Sequence, residues 1–159
     1  MKVTSAAKAF SLVELLIVIA IISILSIISA PVFSKYRGNV CLRESVRKIA
    51  SDIQLCKASA AADGVRYRII IDVKSNNYIV QKETSLGDWT NVSSIRNFGE
   101  QDEAVKIIGK PTHVAQIIYF QPRGTTNAGT LEIRHEKIMS TAKIVTSLTG
   151  RVRIKYDTK

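Results

Sequence analysis

The residue whose chemistry most needs an explanation is Glu14, a carboxylate beside a long segment without charge. Residues 15–33 contain no charged side chain. An acid costs about 2.5–3.5 kcal/mol at the centre of a membrane helix and less near its end. Glu14 therefore either lies among lipid headgroups or meets a positive partner inside the membrane or inside an assembly.

A new chain terminus would supply such a partner. If the chain is cut between Ala9 and Phe10, the α-amino group of Phe10 lies four residues from Glu14. The amine of one molecule could then neutralise the carboxylate of the next. That contact would fix the axial register of stacked subunits.

The second suggestive pattern is the basic C-terminus, TGRVRIKYDTK. If residues 151–156 form a strand, Arg151, Arg153 and Lys155 share one face, because side chains alternate along a strand. Positive charges about 6–7 Å apart roughly match the phosphate repeat of a nucleic-acid strand. The alternative is a solvated edge strand whose charges discourage pairing with another sheet. The sequence leaves both open.

Motifs for catalysis or metal binding are absent from the sequence. It contains no G-x-S-x-G, no P-loop and no H-E-x-x-H. There is no C-x-x-C pair, and His113 and His135 are too few and too far apart in sequence for a zinc cluster. We therefore predict that the protein is not an enzyme and needs no cofactor or metal.

The uncharged segment has the length of a membrane helix. Its roughly 19 residues would extend about 28 Å, close to the hydrocarbon thickness of a bilayer. It has no polar face, unlike the core helix of a soluble protein. A removed secretory signal is disfavoured, because the small residue Ala30 is followed directly by Pro31. We predict a retained membrane helix that Pro31 bends. Positive charges on both sides of the helix leave open which end is cytoplasmic.

This segment resembles the N-terminus of the type IV pilin superfamily, which includes the pseudopilins of type II secretion. The matching letters are FSLVELL, starting at Phe10, followed by the apolar run and Pro31. The resemblance implies that a prepilin peptidase removes the leader 1–9, that Phe10 becomes N-methylated and that Glu14 acts in assembly. Ala9 stands where the family normally has glycine. Cleavage would remove two lysines and reduce the formal charge from +10 to +8.

The helix is predicted to continue to residue 63 with one apolar face. Apolar residues recur at alternating spacings of four and three, at Leu42, Val46, Ile49, Ile53, Cys56 and Ala60. Charged residues are predicted on the other faces, at Arg43, Glu44, Arg47, Lys48 and Asp52. Cys41 is predicted to lie off the stripe and about 22 Å from Cys56, which excludes a disulfide between them.

From residue 64 the pattern changes to short strands. Residues 65–73 and 78–82 are separated by the turn-forming letters KSNN and predict a hairpin. Residues 84–103 indicate a loop or weak strands. Further strands are predicted at 104–108, 117–120, 130–134, 142–147 and 151–156. A helix followed by strands predicts an α+β fold with an antiparallel sheet over the outer helix.

The order of later motifs narrows the resemblance to the GspH/FimT family. These motifs are ASAA before Gly64, IYFQPRG ending at Gly124, and TGRVR from Thr149. The family contains minor pseudopilins of type II secretion and minor pilins of type IV pili. The resemblance implies a single-pass protein of the bacterial inner membrane whose partners are other pilin subunits and the prepilin peptidase. The implied parts are a leader 1–9, a transmembrane helix 10–33, an amphipathic outer helix 34–63 and a β-rich periplasmic head 64–159.

An alternative function follows from the last motif. FimT-like members resemble this chain in a terminal G-R-x-R motif implicated in binding DNA during uptake, which Gly150, Arg151 and Arg153 match. Two functions therefore remain open: a structural minor subunit, and a minor pilin that also binds DNA.

Overall fold

The computed structural model describes residues 11–157, which form one long helix followed by nine strands. The helix α1 spans Leu12–Asp63. The strands are β1 Tyr67–Asp72, β2 Asn77–Ser85, β3 Asp88–Asn91, β4 Arg96–Asn97, β5 Val105–Ile108, β6 Ile117–Phe120, β7 Gly129–His135, β8 Ser140–Thr146 and β9 Val152–Asp157. The predicted α+β fold is confirmed, with two antiparallel sheets where the sequence predicted one. The leader and the processing site at Ala9 and Phe10 lie outside the described residues.

The chain divides after Tyr36 into two compact units. In the first unit every described side chain is exposed. Three serines direct their hydroxyls back into the helix, each donating to the carbonyl four residues earlier at 2.7–2.9 Å: Ser23, Ser26 and Ser29. Their polar groups are thus satisfied within the helix, as lipid requires. Within residues 11–157, α1 alone is long and apolar enough to cross a membrane.

From Gly38 onward, in the second unit, α1 buries one face. The predicted stripe is at most 3% exposed at every position, from Leu42 to Ala60. The buried face is wider than predicted, because Cys41 and Asp52 are buried as well, each 7% exposed. The sequence placed both residues off the stripe. Both thiols are free, and burial, followed by the charge of Asp52, raises the pKa of Cys56 to about 12.

Two antiparallel sheets pack with the second half of α1 around one core. The first has the order β3-β2-β1-β6, with β4 also pairing with β2, and the second has the order β5-β7-β8-β9. The predicted hairpin is present, with Asp72 paired to Asn77 beside the turn. The weakly patterned residues 84–103 contain the short strands β3 and β4. Strand β9 occupies one edge of the second sheet.

An ion pair between buried Asp52 and half-buried Arg96 ties the first sheet to the helix. Both carboxylate oxygens of Asp52 accept from Nη1 of Arg96, at 2.5 and 2.6 Å. The hydroxyl of Tyr78 donates to Asp52 Oδ2 at 2.6 Å. Burial, and then this hydrogen bond, raises the pKa of Tyr78. Asp52 thus anchors β2 and β4, although its charge alone suggested a solvent-facing position.

Asp52→Ala tests this anchor. The substitution leaves Arg96 and the Tyr78 hydroxyl without their acceptor, and we expect the free energy of unfolding to fall by about 2–3 kcal/mol. The measurement is denaturant unfolding of the full chain in detergent micelles, followed by the fluorescence of Trp89, the chain's single tryptophan.

The matched control is Glu100→Ala, which removes the exposed pair of Glu100 with Lys48. Exposed pairs contribute little to stability, so this variant should unfold at the wild-type denaturant concentration. Equal losses in the two variants would contradict an anchoring role for Asp52.

Candidate functional site

The proposed assembly residues lie in the first unit. Glu14 is exposed in the first turn of α1, where the partial positive charge of the helix N-terminus favours an acid. Pro31 lies inside α1 and supplies no amide hydrogen for the helix ladder. The two positions are about 26 Å apart along a regular helix. One isolated acid therefore precedes an exposed apolar surface long enough to cross a bilayer.

The basic C-terminal residues lie at the free edge of the second sheet. Along β9, Arg153 and Lys155 are exposed, whereas Val152 and Ile154 are partly buried and pack against the core. Arg151 is exposed immediately before the strand. None of these three cations forms an ion pair with any residue in the part of the chain that the structure describes.

A tight turn positions Arg151. The amide of Gly150 donates to the carbonyl oxygen of Ser147 at 2.9 Å. The amide of Ser147 donates to the carbonyl oxygen of Arg151 at 3.0 Å. Gly150 is buried with φ +72°, and a Cβ at this position would lie 2.7 Å from the carbonyl oxygen of Gly124. The letters QPRG and TGRVR, which were only ordered motifs in the sequence, therefore lie in direct contact.

Lys57 completes this arrangement from the helix. Its Nζ donates to the carbonyl of Thr149 at 3.1 Å and approaches that of Gly150 at 3.4 Å. Lys57 and Arg151 line one cleft of about 450 Å³. Sequence reasoning missed Lys57, because no local spacing relates a helix residue to a turn more than ninety positions away.

Gly150→Ala tests the close contact of the two motifs. Alanine adds strain at positive φ and a clash with the Gly124 carbonyl, and we expect a loss of about 2–4 kcal/mol in the free energy of unfolding. Gly109→Ala is the control, because Gly109 also has positive φ (+66°) but has no atom within 4 Å of the added Cβ. Gly109→Ala should lower the free energy of unfolding only by the cost of placing alanine at positive φ. A Gly150→Ala loss no larger than the control's would contradict the contact.

The two histidines serve the packing of the head. The His113 ring lies over Gly129 and its Nε2 is 2.7 Å from Thr146 Oγ1, and burial lowers the pKa of His113. His135 is buried with its Nε2 3.1 Å from Asp102 Oδ2. Within residues 11–157 no group of three or more histidine, cysteine, aspartate or glutamate side chains could hold a metal ion.

Comparison with known proteins identifies the N-terminal motif and the fold. Residues 4–30 match the prokaryotic N-terminal methylation motif. The minor pseudopilin EpsH of the type 2 secretion system of Vibrio cholerae superposes with a TM-score of 0.59 at 15% identity, over 72% of this chain and 96% of that chain. The fold is pilin-like. No curated protein sequence shows significant similarity to the chain.

A second match supports the same pilin-like fold. The type IV minor pilin FimU of Pseudomonas aeruginosa superposes with a TM-score of 0.58 at 14% identity, over 72% of this chain and 87% of that chain. The predicted resemblance to the type IV pilin superfamily is thereby confirmed in motif and in fold. Both matched structures are pilin subunits rather than enzymes, and their likeness does not distinguish a pilus from a secretion pseudopilus.

Proposed function

We propose that the protein is a minor subunit of a type IV pilus or of a type II secretion pseudopilus. It is anchored in the bacterial inner membrane with its head in the periplasm. The observation that carries this proposal is the helix α1. Glu14 precedes its exposed and uncharged segment 15–33, and the helix continues into a head with a pilin-like fold. The methylation motif over residues 4–30 supports the same assignment.

The proposed assembly step depends on cleavage after Ala9. Prepilin peptidase removes the basic leader and creates an α-amino group at Phe10. As a subunit leaves the bilayer, this amine meets Glu14 of the neighbouring subunit. Both charges are costly in lipid, and their attraction is stronger there than in water. The pair therefore favours one axial offset between neighbouring helices.

Pro31 has a second role in this proposal. Because it lacks an amide hydrogen and its ring crowds the preceding turn, it weakens the helix at one point. We propose that this point lets the membrane helix adjust its direction as subunits pack.

Glu14→Gln tests the assembly step in a host with active prepilin peptidase. Glutamine enters lipid more readily than an acid, so membrane insertion and processing should persist, with a mature mass starting at a methylated Phe10. The amine of the neighbouring subunit loses its counter-charge, and recovery in sheared fibres should fall at least tenfold, the equivalent of about 1.4 kcal/mol.

Glu44→Gln is the control, because it removes one exposed acid from the outer half of the same helix. It should be recovered in fibres at the wild-type level. If Glu14→Gln also assembles normally, Glu14 only marks the headgroup level and the proposed pairing is wrong. A mature chain that retains Met1 would contradict the processing step.

We infer a second function, binding of DNA by the same head. The observation that favours it is the cluster of Arg151, just before β9, with Arg153 and Lys155 on β9, none of which has an acidic partner among residues 11–157. Lys57 lines the same cleft as Arg151. Cations on one face of an edge strand can follow a phosphate backbone. The resemblance to FimT-like minor pilins supports the same function.

A salt titration separates this function from a purely structural role. Wild-type affinity for duplex DNA should fall steeply with salt, because each phosphate contact contributes a log–log slope of about −0.9. The double variant Arg151→Gln, Arg153→Gln should reduce that slope by about two contacts. The control Lys106→Gln, Lys110→Gln removes the same charge at the opposite edge strand and the loop after it. If both double variants reduced the salt slope equally, DNA binding would depend on the net charge of the head and not on Arg151 and Arg153.

A further inference from the structure

An aromatic and basic cluster lies on the outer face of the first sheet, away from β9. The Arg68 guanidinium carbon is 4.0 Å from the centre of the Trp89 ring, and the ring of Tyr119 meets Trp89 edge-on at 6.2 Å. Register places Arg68 directly opposite Tyr119. All three side chains are only half-buried. The cluster is therefore preformed and open to solvent on one side.

Arg68 and its neighbour Arg66, whose guanidinium carbon is 5.9 Å from the centre of the Trp89 ring, differ in their partners. Arg66 is held by both carboxylate oxygens of Glu83, with Nε 2.6 Å from Oε2 and Nη2 bonded to Oε1. Arg68 donates from Nε to the neutral side chain of Gln81 at 2.7 Å. No carboxylate pairs with Arg68 in the described residues. Its positive charge is consequently available to an anionic ligand.

A cleft of about 600 Å³ opens beside the cluster. Tyr119 and Arg66 line it, together with the exposed side chain of Leu148. Gln121 and Thr125 also line the cleft and are exposed, and neither side chain has a hydrogen-bond partner in the described part of the chain. The cleft thus combines an aromatic ring, an apolar side chain and two unengaged polar groups.

The wall of the cleft is held rigidly. The amide group of Asn127 bonds the backbone of β6 at both ends, accepting from Tyr119 N at 2.8 Å and donating to Ile117 O at 2.7 Å. The hydroxyl of Thr126 donates to Ser147 O at 2.8 Å. These contacts join the loop after β6 to the turn before β9. The cleft and the Lys57–Arg151 cleft therefore flank one loop pair.

We propose that this cleft binds an unstacked nucleotide of a single-stranded nucleic acid, with its base on Tyr119 and its phosphates directed toward Arg68, which lies opposite Tyr119 in the sheet. Base stacking on an aromatic ring suits single strands, because every base has a π-face. Gln121 and Thr125 supply hydrogen bonds to the base edge. The inference extends the second function above, since the strand that leaves the cleft passes the loop pair toward Arg151.

Trp89 makes the proposal directly measurable. It is the only tryptophan in the chain and lies beside Tyr119. Titration of the full chain in detergent micelles with a twelve-nucleotide oligothymidylate should change Trp89 fluorescence to saturation. A duplex of the same length should bind without that change, because its bases remain stacked. Thymidine monophosphate should bind at least tenfold more weakly than the strand, because it cannot reach the other cations.

Variants identify the site. Tyr119→Leu should weaken oligothymidylate binding about tenfold and leave duplex binding unchanged, whereas Tyr119→Phe should retain both. The exposed double variant Gln121→Ala, Thr125→Ala should also weaken single-strand binding, and it does not touch the packing of the sheet. Arg151→Gln with Arg153→Gln should weaken the duplex as well.

The outcomes separate the two proposals. Suppose that duplex binding depends on Arg151 and Arg153, that oligothymidylate does not change Trp89 fluorescence, and that Tyr119→Leu binds oligothymidylate as tightly as the wild type. The nucleotide cleft is then wrong and the DNA function stands. If neither nucleic acid binds, both are wrong. Thymidine monophosphate binding as tightly as the strand would also overturn the proposed single-strand site.

Discussion

The helix α1 has two different environments along its length: an exposed apolar segment and a segment with one face packed in the head. Along its first half every side chain is exposed and residues 15–33 carry no charge, and all backbone groups of a lipid-exposed segment have to bond within the helix. From Gly38 onward the same helix buries one face in the core of the head. The apolar segment and the buried face thus belong to the same helix, and the proposed function uses both.

Specific polar contacts determine how the sheets lie on the helix, beyond what apolar burial alone requires. Asp52 receives hydrogen bonds from Tyr78 and Arg96, which fixes β2 and β4. Gly38 allows the second sheet to approach, because a Cβ there would lie 2.9 Å from Nε2 of His135. Since burial of an unpaired charge is costly, these contacts favour one arrangement of the head. That arrangement brings Lys57 to Gly150 and places Tyr119 beside its cleft.

Much of the fold follows from periodicity, whereas the sites depend on contacts that periodicity does not contain. The stripe from Leu42 to Ala60 and the hairpin after Gly64 were predicted because each period repeats over several residues. Asp52 was misplaced because a helix covered by two sheets buries more than one row of side chains. The contact of Trp89 with Tyr119 joins residues thirty positions apart, and the polar residues around Trp89 predicted only a loop or weak strands.

The most direct test of the two-environment helix is a spin-label scan of α1 in lipid vesicles, measuring the accessibility of each position to oxygen and to a water-soluble nickel chelate. The account predicts uniform oxygen accessibility over residues 15–33. From residue 42 it predicts nickel accessibility with a period of 3.6, low at Val46, Ile49 and Ile53. A 3.6-residue period in nickel accessibility over residues 15–33 would mean that water reaches one side of that segment, and would contradict the account.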